Sequence, residues 1–131
     1  MRPRYAFDIC HEVYRHARAI LGEKVATIQL ERASKFHWRP DSRPRLAEYV
    51  ADFARAGERA LREGRFSSRL ILFRVYYLGG AEYHAARRHL GLSELTFADW
   101  ADEVRDRVGR ELRRAGLFPP GKYFHAHSRD A

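Results

Sequence analysis

The chain has 131 residues, 45% of them hydrophobic and 32% charged. That balance suits one globular domain with a core of its own, and it excludes both a disordered chain and two large domains. The formal net charge of +8 points to a polyanionic partner, with an arginine-rich surface of no special purpose as the competing reading, since Lys24, Lys35 and Lys122 are the only lysines. A lone cysteine, Cys10, excludes an intramolecular disulfide and fits a cytoplasmic protein.

No apolar run has the roughly 18 residues of a membrane span, and the first residues do not resemble a signal peptide. The expectation is therefore a cytoplasmic chain with no membrane partner.

Residues 5–21 place Ile9, Val13, Ala17 and Ile20/Leu21 at helical spacing, with Cys10 and Tyr14 widening the stripe and Gly22 as the stop. Residues 23–36 read as a helix, although Val25 to Leu30 also fits a short strand. Residues 37–45 contain Pro40 and Pro44 and read as a loop, with Asp41 or Ser42 capping the next helix and Pro44 in its first turn.

Residues 44–63 form an amphipathic helix with Leu46, Val50, Phe53, Ala54 and Leu61 inward and Glu58 within reach of Arg62. Residues 67–78 open on Ser67-Ser68 as cap candidates. The run Leu70 to Leu78 is apolar nearly all round, which predicts a buried helix at the centre of the fold, ended by Gly79-Gly80.

A short helix over 81–90 turns Tyr83, Ala86 and Leu90 inward. A long helix over 94–115 does the same with Phe97, Trp100/Ala101, Val104, Val108 and Leu112, and Gly116 caps it. Leu117 to Pro120 leaves the helix, Tyr123-Phe124 docks back on the core, and His125 to Ala131 frays. The expected fold is all-α, a small helical bundle with a C-terminal helix-turn-helix. Its segments are 1–65, 66–118 and a tail 119–131, together one compact domain.

The stretch Ala85-Ala86-Arg87-Arg88-His89-Leu90-Gly91-Leu92-Ser93 joins two helices through a glycine turn. It resembles the "IAxxLGIS" turn in region 4 of bacterial sigma factors and in LuxR-type modules. Leu70 to Gly80 resembles that family's buried helix and its "YxxG" exit. The resemblance covers residues 70–112, about a third of the chain, and implies a DNA-binding, transcription-related protein whose partner is double-stranded DNA. In the geometry of such units Arg87, Arg88 and His84 meet phosphates, while Ser93, Glu94 and Thr96 lie nearest the base edges. Glu94 would accept from a cytosine amino group and Thr96 would touch a thymine methyl.

Two features depart from that family. Between Ser93 and Asp106 the acids Glu94, Asp99, Asp102, Glu103 and Asp106 face a single base, Arg105, where DNA would favour cations. The first 65 residues also show no region that would bind core polymerase, which argues against a complete sigma factor.

The alternative is a protein-protein module. It would use Asp99, Asp102, Glu103 and Asp106, read as an outward acidic face, to contact a basic protein surface, either in the transcription machinery (RNA polymerase or another transcription protein) or as a phage-type regulator, with no DNA contact. Lys35, Arg39, Arg43 and Arg45, interleaved with Phe36 and Trp38, are accessory nucleic-acid candidates, against the reading that these aromatics only plug the core. The arginines from Arg105 to Arg114 suit a helix C-terminus and would also flank DNA. Histidine and cysteine spacing matches no zinc site, and no nucleophile elbow, phosphate loop or paired inward carboxylates occur. The chain reads as a binding module with no metal, cofactor or enzymatic role.

Overall fold

The computed structural model describes residues 2–22 and 42–128. Their regular structure is entirely helical, with six α-helices and no strand among the described residues. The expectations for residues 23–36 and for the loop up to residue 41 lie outside the described residues.

Helix α1 (Pro3–Leu21) starts with proline in its first turn, where the missing N–H costs nothing. It buries Ala6, Phe7, Cys10, Tyr14 and Ala17, so the buried stripe is centred on Cys10 and Tyr14 and leaves Ile9, Val13 and Ile20 half-buried. Helix α2 (Ser42–Leu61) begins two residues before the expected start at residue 44, because Pro44 is compatible with a first turn. Its fully buried residues are Tyr49, Phe53, Ala56 and Leu61. Tyr49 was not among the expected core positions, and Glu58 pairs with Arg74 at 2.8 Å instead of with Arg62.

The third helical stretch departs most from expectation. It opens as a 3-10 turn at Gly64–Ser68, passes through a short α-helix, α3 (Arg69–Leu72), and continues as a π-helix over Phe73–Leu78. Ser67 and Ser68 lie inside the 3-10 turn and do not cap the helix. Ser67 instead donates its hydroxyl to the Gly64 carbonyl oxygen at 3.0 Å. Only Leu72, Phe73 and Tyr77 are buried. Ile71 is 49% exposed, so this stretch packs on the core from one side and is not its centre.

That centre is occupied by α5 (Glu94–Arg114), which lies along α1 and α2 and buries Phe97, Val104, Val108, Gly109 and Leu112. Two glycines set the close approaches. A Cβ on Gly109 would stand 2.0 Å from the Pro3 carbonyl oxygen, and one on Gly57 would stand 2.1 Å from the Phe73 ring.

Helix α4 (Tyr83–Leu90) precedes α5, and α6 (Pro120–Ser128) follows it. Gly116, at φ 85°, turns the chain so that the Leu117 N–H donates to the Leu112 carbonyl oxygen at 2.9 Å. Leu117 is buried, and Tyr123 and Phe124 dock on Tyr49 with ring centroids 5.0 and 5.2 Å apart. His125 belongs to α6 and is not the start of a frayed tail. No described helix is long and apolar enough to cross a membrane.

Candidate nucleic-acid interface

Helix α4 enters and leaves through two caps of different chemistry. At its start the Glu82 carboxylate accepts from the backbone N–H of His84 at 2.7 Å and of Ala85 at 3.2 Å. The His84 N–H, the larger influence, helps hold the Glu82 carboxyl below its ordinary range. This negative cap already occupies the helix N-terminus, so a phosphate arriving there meets a carboxylate.

At its end Gly91 adopts φ 68°, a conformation open to glycine at little cost. The Leu92 N–H donates to the Arg87 carbonyl oxygen at 3.1 Å and the Gly91 N–H to that of Arg88 at 3.2 Å. These are the two bonds of a Schellman turn.

Ser93 caps α5. Its Oγ accepts from the Thr96 N–H at 3.1 Å and bonds the Thr96 hydroxyl at 3.0 Å. The turn and the cap match the expectation for Gly91 and Ser93. The same bonds engage the Ser93 and Thr96 hydroxyls within the helix end, and Thr96 is half-buried.

Arg87 is also engaged. It donates Nε–H to the Leu92 carbonyl oxygen at 3.2 Å, lies 3.5 Å from Glu94 and covers the Tyr83 ring at 5.6 Å. Arg88 and His84 are exposed, and the Arg88 side chain makes no hydrogen bond or ion pair among the described residues. The first turns of α5 therefore present Glu94, Leu95, Ala98 and Asp99 to solvent. Leu95, 81% exposed, was missed in the sequence. Its signal was a large apolar side chain adjacent to the cap and off the Phe97–Val104 stripe.

The acids of α5 do not form the outward, unpaired face that their spacing suggested. Arg4 from α1 reaches Asp106 at 3.0 Å and Asp102 at 3.6 Å, Arg105 binds Asp102 at 3.3 Å, and Arg69 binds Glu103 at 3.2 Å. Of the four, only Asp99 is exposed and without a partner among the described residues. The reason is geometric: positions 102, 103 and 106 lie beside α1 and α3, where arginines from those elements meet them. Several of the C-terminal arginines are likewise turned to internal use. Arg105 binds Asp8 at 2.7 Å, Arg107 donates to the Ala60 carbonyl oxygen at 3.1 Å over the Phe66 ring, and Arg114 pairs with Glu111.

Among the accessory candidates, Lys35 and Arg39 lie outside the described residues, and Arg43 is described only as a backbone position in the first turn of α2. Arg45 is mostly buried. It donates to the Tyr123 carbonyl oxygen at 2.8 Å and lies 3.9 Å over the Tyr123 ring. It fastens α2 to α6 and is not a free cation.

A second feature lies beside this unit. Along α1, His11, Tyr14 and Arg18 share one face at spacing i, i+3, i+7. His11 Nε2 donates to the Tyr77 carbonyl oxygen at 2.9 Å. The Tyr14 hydroxyl and Arg18 Nη1 both donate to that of Leu78, at 2.8 and 2.6 Å. A π-helix bonds i to i+5, as the Gly79 N–H does to the Arg74 carbonyl oxygen at 2.8 Å, and carbonyls at its end have no helical donor. The α1 side chains supply those donors and so wall an open groove of about 700 Å³.

No protein-family model matches the chain, and no curated protein or solved structure is significantly similar to it.

Proposed function

We propose that the chain binds duplex DNA through the α4–turn–α5 unit, used as a helix-turn-helix of the kind that region 4 of sigma factors carries, in a transcription-related and non-enzymatic role. The observation that carries this reading is the turn. Gly91 in the left-handed conformation and the Ser93 cap join α4 to α5 through a tight turn, and a tight glycine-containing turn between two helices is the connection that a helix-turn-helix uses.

The acidity of α5 weighs less against DNA than its sequence suggests, because Asp102, Glu103 and Asp106 each meet an arginine. In this reading Arg88 and His84 contact phosphate. Glu94, Leu95 and Asp99 face the bases, Leu95 toward a thymine methyl and a carboxylate toward a cytosine amino group. Ser93, Thr96 and Arg87 set the angle of the turn.

Selection of bound duplexes from a random DNA pool, followed by a salt titration of the enriched sequence, tests the reading. Enrichment of a discrete site with affinity falling steeply as salt rises is expected. A pool that stays random, with binding insensitive to salt, overturns it.

Leu95 also supports a second reading, in which the same face docks on RNA polymerase or another transcription protein. A side chain of that size left 81% exposed next to the unpartnered Asp99 suits an apolar contact with a polar rim. If Leu95→Ala combined with Asp99→Arg leaves every co-purifying transcription protein in place, this reading is wrong.

A further inference from the structure

We propose that the groove between α1 and the Gly79–Gly80 turn binds a small ring-bearing phosphate, of the chemical class of a nucleoside monophosphate. The proposal is separate from DNA binding by α4 and α5.

The first support is charge. The residues lining the groove include His11, Arg15 and Arg18 and no carboxylate, whereas Arg4, Arg59, Arg69, Arg74, Arg105 and Arg114 elsewhere each face an acid. Arg15 is exposed and its side chain makes no hydrogen bond or ion pair among the described residues. Arg18 is anchored through Nη1 to the Leu78 carbonyl oxygen and to the Tyr14 hydroxyl, which fixes its guanidinium while Nε and Nη2 still carry protons to donate. Two arginines at i, i+3 on one helix face are neighbours, and paired forks suit the oxygens of a phosphate.

The second support is shape. The groove measures about 700 Å³, within the range that holds a small organic ligand. Of the tyrosines in its lining, Tyr76 and Tyr83 are half-buried while Tyr14 and Tyr77 are buried, and a partly exposed tyrosine face stacks on planar rings of any sequence or substituent.

The third support is the backbone. Helical segments with i to i+5 bonding are uncommon and recur at functional sites. Here the π-helix Phe73–Leu78 runs directly into the groove wall. Its exit uses Gly80 at φ 75°, and Gly79 and Gly80 both line the groove, so that part of the wall carries no side chain beyond the main chain.

Adenosine 5′-monophosphate is the probe, titrated into the intact protein and followed by the amide resonances of Gly79 and Gly80. Saturable shifts with a dissociation constant near or below about 1 mM are expected. Inorganic phosphate and adenosine should each bind about tenfold more weakly, since each lacks one half of the recognition. Arg15→Ala and Ala19→Glu both alter exposed helix positions that line the groove, and each should weaken binding about tenfold or more. Absence of any shift at about 10 mM probe overturns the proposal, as does binding that both variants retain, which would mark attraction to a basic surface in general. A single-stranded hexanucleotide that binds more than about tenfold tighter than the monophosphate overturns the small-molecule assignment.

Discussion

Arg87 and Leu92 are bonded to each other twice. The Leu92 N–H donates to the Arg87 carbonyl oxygen at 3.1 Å, and the Arg87 Nε–H donates to the Leu92 carbonyl oxygen at 3.2 Å. The backbone bond closes the left-handed turn at Gly91. The side-chain bond reaches over the same turn and fastens the approach to α5. Its neighbour Arg88 takes no part in either side-chain contact.

Two adjacent arginines should therefore behave differently. Arg87→Ala is expected to cost about 1 kcal/mol of folding stability through the lost bond to Leu92. Arg88→Ala should leave stability within about 0.5 kcal/mol, yet lower the slope of log affinity against log salt for duplex DNA by about 0.9, the signature of one lost phosphate contact. Urea melts and salt titrations on both variants separate the two roles. Equal loss of stability from the two substitutions would contradict the division.

The Leu78 carbonyl oxygen accepts from both the Tyr14 hydroxyl and Arg18 Nη1. Either donor alone keeps the end of the π-helix satisfied, so Tyr14→Phe or Arg18→Met should each cost about 1 kcal/mol. Removing both leaves a carbonyl without a protein donor. The double variant should lose more than the sum of the singles by about 0.5–1 kcal/mol, read from a double-mutant cycle in urea. Strict additivity would mean that water replaces the donors without loss.

How much of this was legible in the sequence differs from element to element. The helix ends that depend on one residue's backbone freedom or capping chemistry, Gly91, Ser93 and Gly116, were readable because the cause is local. The docking of Tyr123 and Phe124 was readable from their apolar character after a break at Pro119-Pro120. The π-helix was not, since a shift from i+4 to i+5 bonding leaves the residue pattern of Phe73 to Leu78 unchanged. The pairing of Asp102 and Asp106 with Arg4 was hidden because the partners are about a hundred positions apart. Of the candidate site, Arg88 and His84 stand as exposed groups. Ser93, Thr96 and Arg87 turned out to be engaged in holding the turn, a competing use that residue type alone does not reveal.

Gly109 illustrates a signal that was present and unread, a glycine inside a strongly helical pattern. Replacement by alanine gains up to about 1 kcal/mol of helix propensity. It also sets a Cβ 2.0 Å from the Pro3 carbonyl oxygen, and a backbone atom cannot rotate away as a side chain can. The clash should dominate, with a net loss of about 2 kcal/mol or more. Gly121→Ala, where no atom lies within 4 Å of the new Cβ, should instead leave stability unchanged or slightly raised. Thermal melts of the two variants are expected to move in opposite directions or, at the least, to differ by several degrees.

His11 makes folding depend on pH. Burial, the dominant cause, lowers its pKa below the ordinary 6.5, with a smaller push from Arg15, while the Tyr77 carbonyl and Asp8 act in the opposite sense. The folded imidazole thus resists a proton that the unfolded chain accepts. The unfolded state binds more protons as pH falls through about 6.5, so stability declines there, and the decline ends once pH passes below the folded pKa. His11→Gln should flatten that part of the curve relative to the parent chain, with the exposed histidines His84 and His89 left in place as the common background. Urea midpoints at pH 8, 6.5 and 5.5 test this, and identical slopes for parent and variant would show that the imidazole takes up its proton equally well in both states.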